Sequence, residues 1–179
     1  VIVLAILAFS RPYIMDRLTT FINPSADPQG KSYQVRQSLI AIGSGGVWGR
    51  GYGQSIQKFE YLPEPIGDSV FAVLGEEFGF VGTVGLVIVF SFFALRGYRI
   101  ATEAPDLFGT LLVVGFVTTI TAQAFLNIAA MLSIAPLSGL PLPFISHGGT
   151  ALLATLGGVG IILNVSRYRK NPKKGSVTN

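Results

Sequence analysis

Three stretches of this chain, residues 70–95, 107–134 and 150–165, hold only two charged residues between them, Glu76 and Glu77. A helix needs about 20 mostly apolar residues to cross a bilayer core of about 30 Å, so each stretch is long enough, allowing for its ends, to be a membrane span. A fourth apolar run, residues 1–9, is about half that length and reads as the end of a span that begins upstream. It lacks an initiator Met and a basic leader, so it does not read as a signal peptide. Composition agrees with a bilayer. Only 12% of the 179 residues are charged and 50% are hydrophobic, whereas a soluble domain carries about 25% charge. Disorder is excluded by the same figures. The absence of cysteine excludes a disulfide scaffold and thiolate metal sites, and the single histidine, His147, excludes a His-rich one.

The net charge of +4 does not point to nucleic acid. Five of the thirteen basic residues, Arg167, Arg169, Lys170, Lys173 and Lys174, follow directly on the last apolar run. Such a juxtamembrane cluster favours the cytoplasmic face and orients the chain. The expected layout is then the end of a transmembrane helix at 1–10, an extracytoplasmic loop at 11–67 and a transmembrane helix at 68–95. A cytoplasmic loop at 96–106 carries Arg96 and Arg99. A helix at 107–135, an outer loop at 136–149, a helix at 150–166 and a cytoplasmic tail at 167–179 complete it.

Loops beyond about 12–15 residues are uncommon and usually functional, which draws attention to 11–67. Its Asn23-Pro24 to Gly30 segment is turn chemistry, residues 33–42 suit a short amphipathic helix, and 43–53 hold six glycines among aromatics. No Gly-Lys-Ser/Thr follows, so this is not a phosphate-binding P-loop. With the Pro- and Gly-rich outer loop at 136–149, it is expected to lie over the membrane face as a shallow cleft.

Asp68 stands where the long loop re-enters the membrane. An Asp there suits a helix N-cap. It equally suits a general base, because a carboxylate partly withdrawn from water holds a proton more readily. Glu64 is either a solvated loop carboxylate or a supporting group. Arg36, Arg50 and Lys58 are cations of the kind a pyrophosphate recruits, or solvated loop charges. Glu76 and Glu77 are expected roughly 12 Å below Asp68 along a helix, as structural groups paired with an Arg or with neighbouring helices. Gln123 and Asn127, four apart on one helix face, read as bonds between helices. His147, beside Ser146 and two glycines, reads as a loop or packing residue. No metal-ligand cluster is evident.

The residues also carry a resemblance. Asn23-Pro24, Asp27-Pro28, Tyr33-Gln34, then Ala41-Ile42-Gly43-Ser44-Gly45-Gly46 and Gln57-Lys58 through Tyr61-Leu62-Pro63-Glu64 resemble the large outer loop of the SEDS family (shape, elongation, division and sporulation proteins). Asp68, Phe71-Ala72 and Gly75-Glu76-Glu77-Phe78-Gly79 are similar to its next helix, and 139–149 to its last outer loop. The wording is closer to the family's division branch than to its elongation branch. Two departures stand out: Ile66-Gly67 replaces the usual His-Thr, and His147 the usual Tyr. The resemblance implies an all-α polytopic membrane protein of ten helices with both ends cytoplasmic, of which this chain would be the last four, the first truncated. It implies a peptidoglycan glycosyltransferase of the bacterial plasma membrane that polymerises lipid II, with Asp68 as general base. With that substrate, Glu64, Arg36, Arg50, Lys58, Ser146 and His147 are the candidate substrate-binding residues. A divalent cation, Mg or Mn, would suit the pyrophosphate. The implied partners are a class B penicillin-binding transpeptidase and the division or elongation complex. A lipid II flippase and a non-catalytic scaffold for a partner synthase compete with this reading.

Overall fold

The computed structural model describes residues 21, 31–60, 62, 63 and 65–168. The run at 1–10, Glu64 and the basic residues beyond Tyr168 lie outside the described residues. The elements are α1 (Lys31–Ser44), α2 (Gln57–Glu60), α3 (Val70–Thr102), α4 (Leu107–Met131) and α5 (Gly149–Arg167). No strand occurs among the described residues. α3, α4 and α5 are each long and apolar enough to cross a membrane.

The 33 residues of α3 would make a rod of about 50 Å, far more than a span requires. The helix is broken instead. Gly79 has φ 65° and ψ −160°, a region in effect reserved for glycine, and the chain changes direction there. The register with α4 shows by how much. The connection between α3 and α4 is only four residues, 103–106, and Ala101 packs with Val113 while a Cβ on Gly97 would strike Val117, so the two helices run antiparallel with 97–98 level with 117–118, where Tyr98 Oη lies 2.9 Å from Thr118 Oγ1. Ten residues further along α4, Asn127 is level with about residue 87 of α3. Asn127 in turn donates to the Asp68 carbonyl at 2.8 Å. Asp68 is therefore about 12 Å down from Gly79, and residues 70–78 fold back beside residues 80–90. The core agrees: Val70 and Phe71 share one apolar cluster with Leu86, Val87, Phe90 and Met131.

This reverses one expectation. Glu76 and Glu77 do not lie below Asp68; they lie above it, at the turn. The depth of about 12 Å holds for a straight helix, and α3 is broken at Gly79. The membrane-crossing part of α3 is the second segment, which exposes Phe80, Val84, Ile88, Phe92 and Leu95 at three- and four-residue spacing, a lipid-facing stripe.

The boundaries also move. α3 continues past Arg96 to Thr102, with Arg99 Nε 3.3 Å from Glu103 Oε1, because Arg side chains reach outward from a helix without ending it. The expected loop at 96–106 shrinks to residues 103–106. The N-cap of α3 is Ser69, not Asp68. α4 ends at Met131 rather than at 135; Ser133 already has φ 57°, and Pro136 bars helix from the residue before it. The segment that follows dips back along α4, with Gln123 Nε2 donating to the Pro141 carbonyl at 2.8 Å. Phe144, at φ 67°, sets its ring 6.5 Å from that of Phe90 and 6.1 Å from that of Phe93. The loop after α4 is thus drawn in among the helices instead of lying over them, whereas the glycine-rich loop sits over the Gly79 turn with Val47, Trp48 and Tyr52 exposed.

Small residues bring the helices together. A Cβ on Gly75 would meet Ile42 of α1, and one on Gly158 of α5 would meet Phe116 of α4. Without a hydrophobic drive between helices in lipid, such close approach is what packs a bundle.

Candidate functional site

The break at Gly79 leaves backbone groups to satisfy. In a continuous helix the Phe80 and Val81 N–H groups would donate to the Glu76 and Glu77 carbonyls. The glycine-rich loop takes over both sides. Phe80 N donates to the Gly46 carbonyl (2.9 Å) and Val81 N to the Val47 carbonyl (3.2 Å), while Arg50 N donates to the Glu76 carbonyl (2.9 Å) and Gly51 N to the Glu77 carbonyl (3.0 Å). Two helical bonds become four between loop and helix. The approach is so close that a Cβ on Gly45 would overlap the Gly75 carbonyl, and one on Gly49 the Glu77 carbonyl. That contact is why glycines crowd this stretch.

Glu76 holds the rest of the loop. Its fully buried carboxylate accepts from Ser55 Oγ at 2.6 Å, Ile56 N at 3.2 Å and Gln57 N at 3.3 Å. Arg50 Nη1 stands 3.6 Å from its Oε1. Ser55 Oγ also accepts from Lys58 N at 3.1 Å, capping α2. Arg50, a candidate pyrophosphate ligand by sequence, has Glu76 as its ion-pair partner. Glu77 is buried too, and its Oε1 has no hydrogen-bond partner among the described residues.

Asp68 lies at the other end of the 70–78 segment. Three successive carbonyls there are held from across the bundle. The Ile66 carbonyl accepts from His147 N (2.9 Å), the Gly67 carbonyl from Ser146 Oγ (2.7 Å) and the Asp68 carbonyl from Asn127 Nδ2 (2.8 Å). These groups precede the helix and have no intrahelical donors. Ser146 Oγ accepts in addition from Leu142 N at 2.8 Å, so its one proton is committed to Gly67. Beside them, Ser69 Oγ donates to the Pro63 carbonyl and accepts from Gln34 Nε2, both at 3.0 Å.

The structure thus brings Asp68, Ser146, His147 and Asn127 together, with Asp68 partly and His147 openly exposed. Arg50 belongs to the Glu76 cluster at the turn, Lys58 to α2 and Arg36 to the exposed side of α1. Glu64 lies outside the described residues. Among those residues no three His, Asp or Glu groups converge to hold a metal. A groove of about 520 Å³ between α4 and α5, lined by Pro105, Asp106, Gly109, Gly160 and Asn164 among others, lies at the opposite end of the bundle and includes none of the candidate residues. Sequence reasoning missed Ser55, Ser69 and Gln34. Ser55 meets Glu76, 21 positions away, and Gln34 meets Ser69, 35 positions away, and nothing local marks them. The glycines at 75, 79 and 82 inside an apolar run were the available sign of the break.

The FtsW/RodA/SpoVE model, described as a cell cycle protein, matches residues 1–171. The chain belongs to this family. It is 47% identical over 164 residues to the stage V sporulation protein E of Bacillus subtilis, covering 92% of this chain and 45% of that protein. It is 44% identical over 167 residues to the "Probable peptidoglycan glycosyltransferase FtsW" of Thioalkalivibrio sulfidiphilus, covering 92% and 42%. Among solved structures it resembles a chain of a peptidoglycan synthase complex described as coordinating polymerization and crosslinking, with TM-score 0.67, 29% identity and coverage of 91% and 44%. It also resembles the rod-shape-determining protein RodA of Thermus thermophilus, solved as an Asp-to-Ala mutant, with TM-score 0.57, 35% identity and coverage of 75% and 40%. The chain spans less than half the length of these family members. Its described residues form helices and no strand, and its spans make it a multi-pass membrane protein.

Proposed function

We propose that the chain is part of a peptidoglycan glycosyltransferase that polymerises lipid II, with Asp68 as the general base. The observation that carries this reading is the anchorage of Asp68: a carboxylate-bearing residue, recessed among helices, with its backbone held at three successive carbonyls. The names of the FtsW relatives and the synthase-complex neighbour support it.

The chemistry suits such a site. The Asp68 carboxylate takes the proton of an acceptor sugar 4-hydroxyl as its oxygen bonds to the anomeric carbon of a lipid-linked sugar. The bond from that carbon to the pyrophosphate oxygen breaks, and undecaprenyl pyrophosphate leaves with the electron pair. Its lengthy polyprenyl tail stays in the bilayer, so a recessed site beside lipid-facing helices meets both halves of the substrate. Cations steady the leaving pyrophosphate; Arg36 and Lys58 are the candidates on this chain, together with Arg50 where its pairing with Glu76 permits. A class B penicillin-binding transpeptidase is the partner this reading implies. The basic residues support a C-terminal end in the cytoplasm and an Asp68 site on the outer side of the plasma membrane.

Asp68→Asn in the intact protein tests the assignment. Because Ser69 holds the N-cap position, the substitution leaves helix capping alone. Insertion is expected to be normal, with glycan polymer formed from lipid II at least ~10²-fold more slowly. Polymer at a near wild-type rate would leave Asp68 without a catalytic role. Wild-type protein that moves lipid II across vesicles yet makes no polymer would favour a flippase.

A further inference from the structure

We infer that Asn127 is a positioning residue for Asp68. It uses both N–H bonds of one amide, donating to the Asp68 carbonyl at 2.8 Å and to the Leu140 carbonyl at 2.7 Å, and so ties the start of α3 to the recessed loop after α4. This rests on the reading of Asp68 as general base.

The amide can sit only one way. Two carbonyl acceptors face it, so turning it over would set its own oxygen against theirs. That oxygen is buried and has no hydrogen-bond partner among the described residues, and the residue is 1% exposed. A side chain serving packing alone would be apolar here. Asn127 leaves its own acceptor unpaired among the described residues while its amide satisfies two backbone groups of two different segments.

The second segment matters as much as the first. The loop that Asn127 holds at Leu140 carries Ser146 and His147, which grip the Gly67 and Ile66 carbonyls. Gln123, one turn back on the same face of α4, holds the Pro141 carbonyl. α4 thus fixes the loop, the loop fixes residues 66–67, and Asn127 fixes residue 68 directly. With the backbone held on one side by this chain of bonds and on the other by the Ser69 contacts, the carboxylate has little beyond its own side-chain torsions to vary. Proton abstraction needs the base within hydrogen-bond reach of the attacking hydroxyl, and a displacement of about 1 Å at such a site can lower the rate by 10²-fold.

The test is a double-mutant cycle in the intact protein, with turnover of radiolabelled lipid II as the readout. Asn127→Ala is expected to lower kcat by about 10²-fold with KM changed by less than about threefold. In the Asp68→Asn background, where no base remains to be positioned, it is expected to cause no further loss. A purely structural role predicts independent effects, so losses that multiply to about 10⁴-fold would overturn the inference. So would near wild-type turnover of Asn127→Ala, or a loss confined to KM. If Asn127→Ala does not insert and fold, Ser146→Ala, which frees the Gly67 carbonyl, decides by the same cycle and the same outcomes. Asp68→Asn alone reports on the base: its full activity would remove the base reading itself, whereas its inactivity with multiplying losses would remove only the positioning role.

Discussion

At the scale of single residues, Glu76 shows what a buried charge does in this protein. Its carboxylate joins Ser55, two backbone N–H groups and Arg50, so the loop from 50 to 57 converges on one side chain. Glu76→Ala leaves those donors facing a void, which costs about 1–3 kcal/mol for each buried group left unpaired. Arg50→Ala removes only the partly exposed partner, 39% accessible and 3.6 Å away, and the expected loss is under about 1 kcal/mol. Thermal unfolding of the purified protein, followed by loss of its monodisperse peak on size exclusion, should rank Glu76→Ala well below Arg50→Ala. Equal effects would mean that the ion pair, rather than the hydrogen-bonded cage, organises the loop.

At the scale of elements, the feature with most consequence is the break in α3. Gly79 needs a conformation that costs other residues about 1–3 kcal/mol. A Cβ there would also overlap the Gly49 nitrogen, so the four backbone bonds between loop and helix would be strained together. Gly79→Ala is therefore expected to free the glycine-rich loop, and limited proteolysis should cut within residues 43–53 of the variant while sparing the wild type. Gly53→Ala is the matched control: φ is 77° there too, but nothing lies within 4 Å of its would-be Cβ, so it carries the backbone strain without the overlap. A variant Gly79→Ala as resistant as wild type would show that the loop does not depend on the break.

At the scale of the whole molecule, Arg96 and Arg99 near the end of α3 and Arg167 at the end of α5 share one end of the bundle, opposite the Gly79 turn. The positive-inside rule then directs the glycine-rich loop outward. The chain has no cysteine of its own, which makes a labelling experiment direct. Cysteine in place of the exposed Gln54 should react with an impermeant maleimide on intact cells, and cysteine in place of Ser176 only after lysis. Reaction of both from outside would reverse the orientation and put the Asp68 site on the wrong face for lipid-linked sugar polymerisation.

The spans were legible in the sequence because a bilayer admits so few solutions. A run of about 20 residues with almost no charge is read by the same physics whatever surrounds it. The short helix, expected at 33–42 and found at Lys31–Ser44, and the candidacy of Asp68, a carboxylate at the edge of an apolar run, were legible for a similar local reason. The depth of that carboxylate was not. Apolar residues continue on both sides of Gly79, and hydropathy has no sign for direction, so a straight rod and a folded-back pair of helices read alike. What separates them are bonds between distant residues: Phe80 with Gly46, Arg50 with Glu76, Asn127 with Asp68. The sequence by itself determined that this chain is helical, membrane-spanning and equipped with a carboxylate near the surface of a span. Only the tertiary structure decided that α3 turns at Gly79 and that the carboxylate lies recessed in the bundle, because the backbone groups freed by a broken helix can be satisfied in lipid only by partners that folding brings to them.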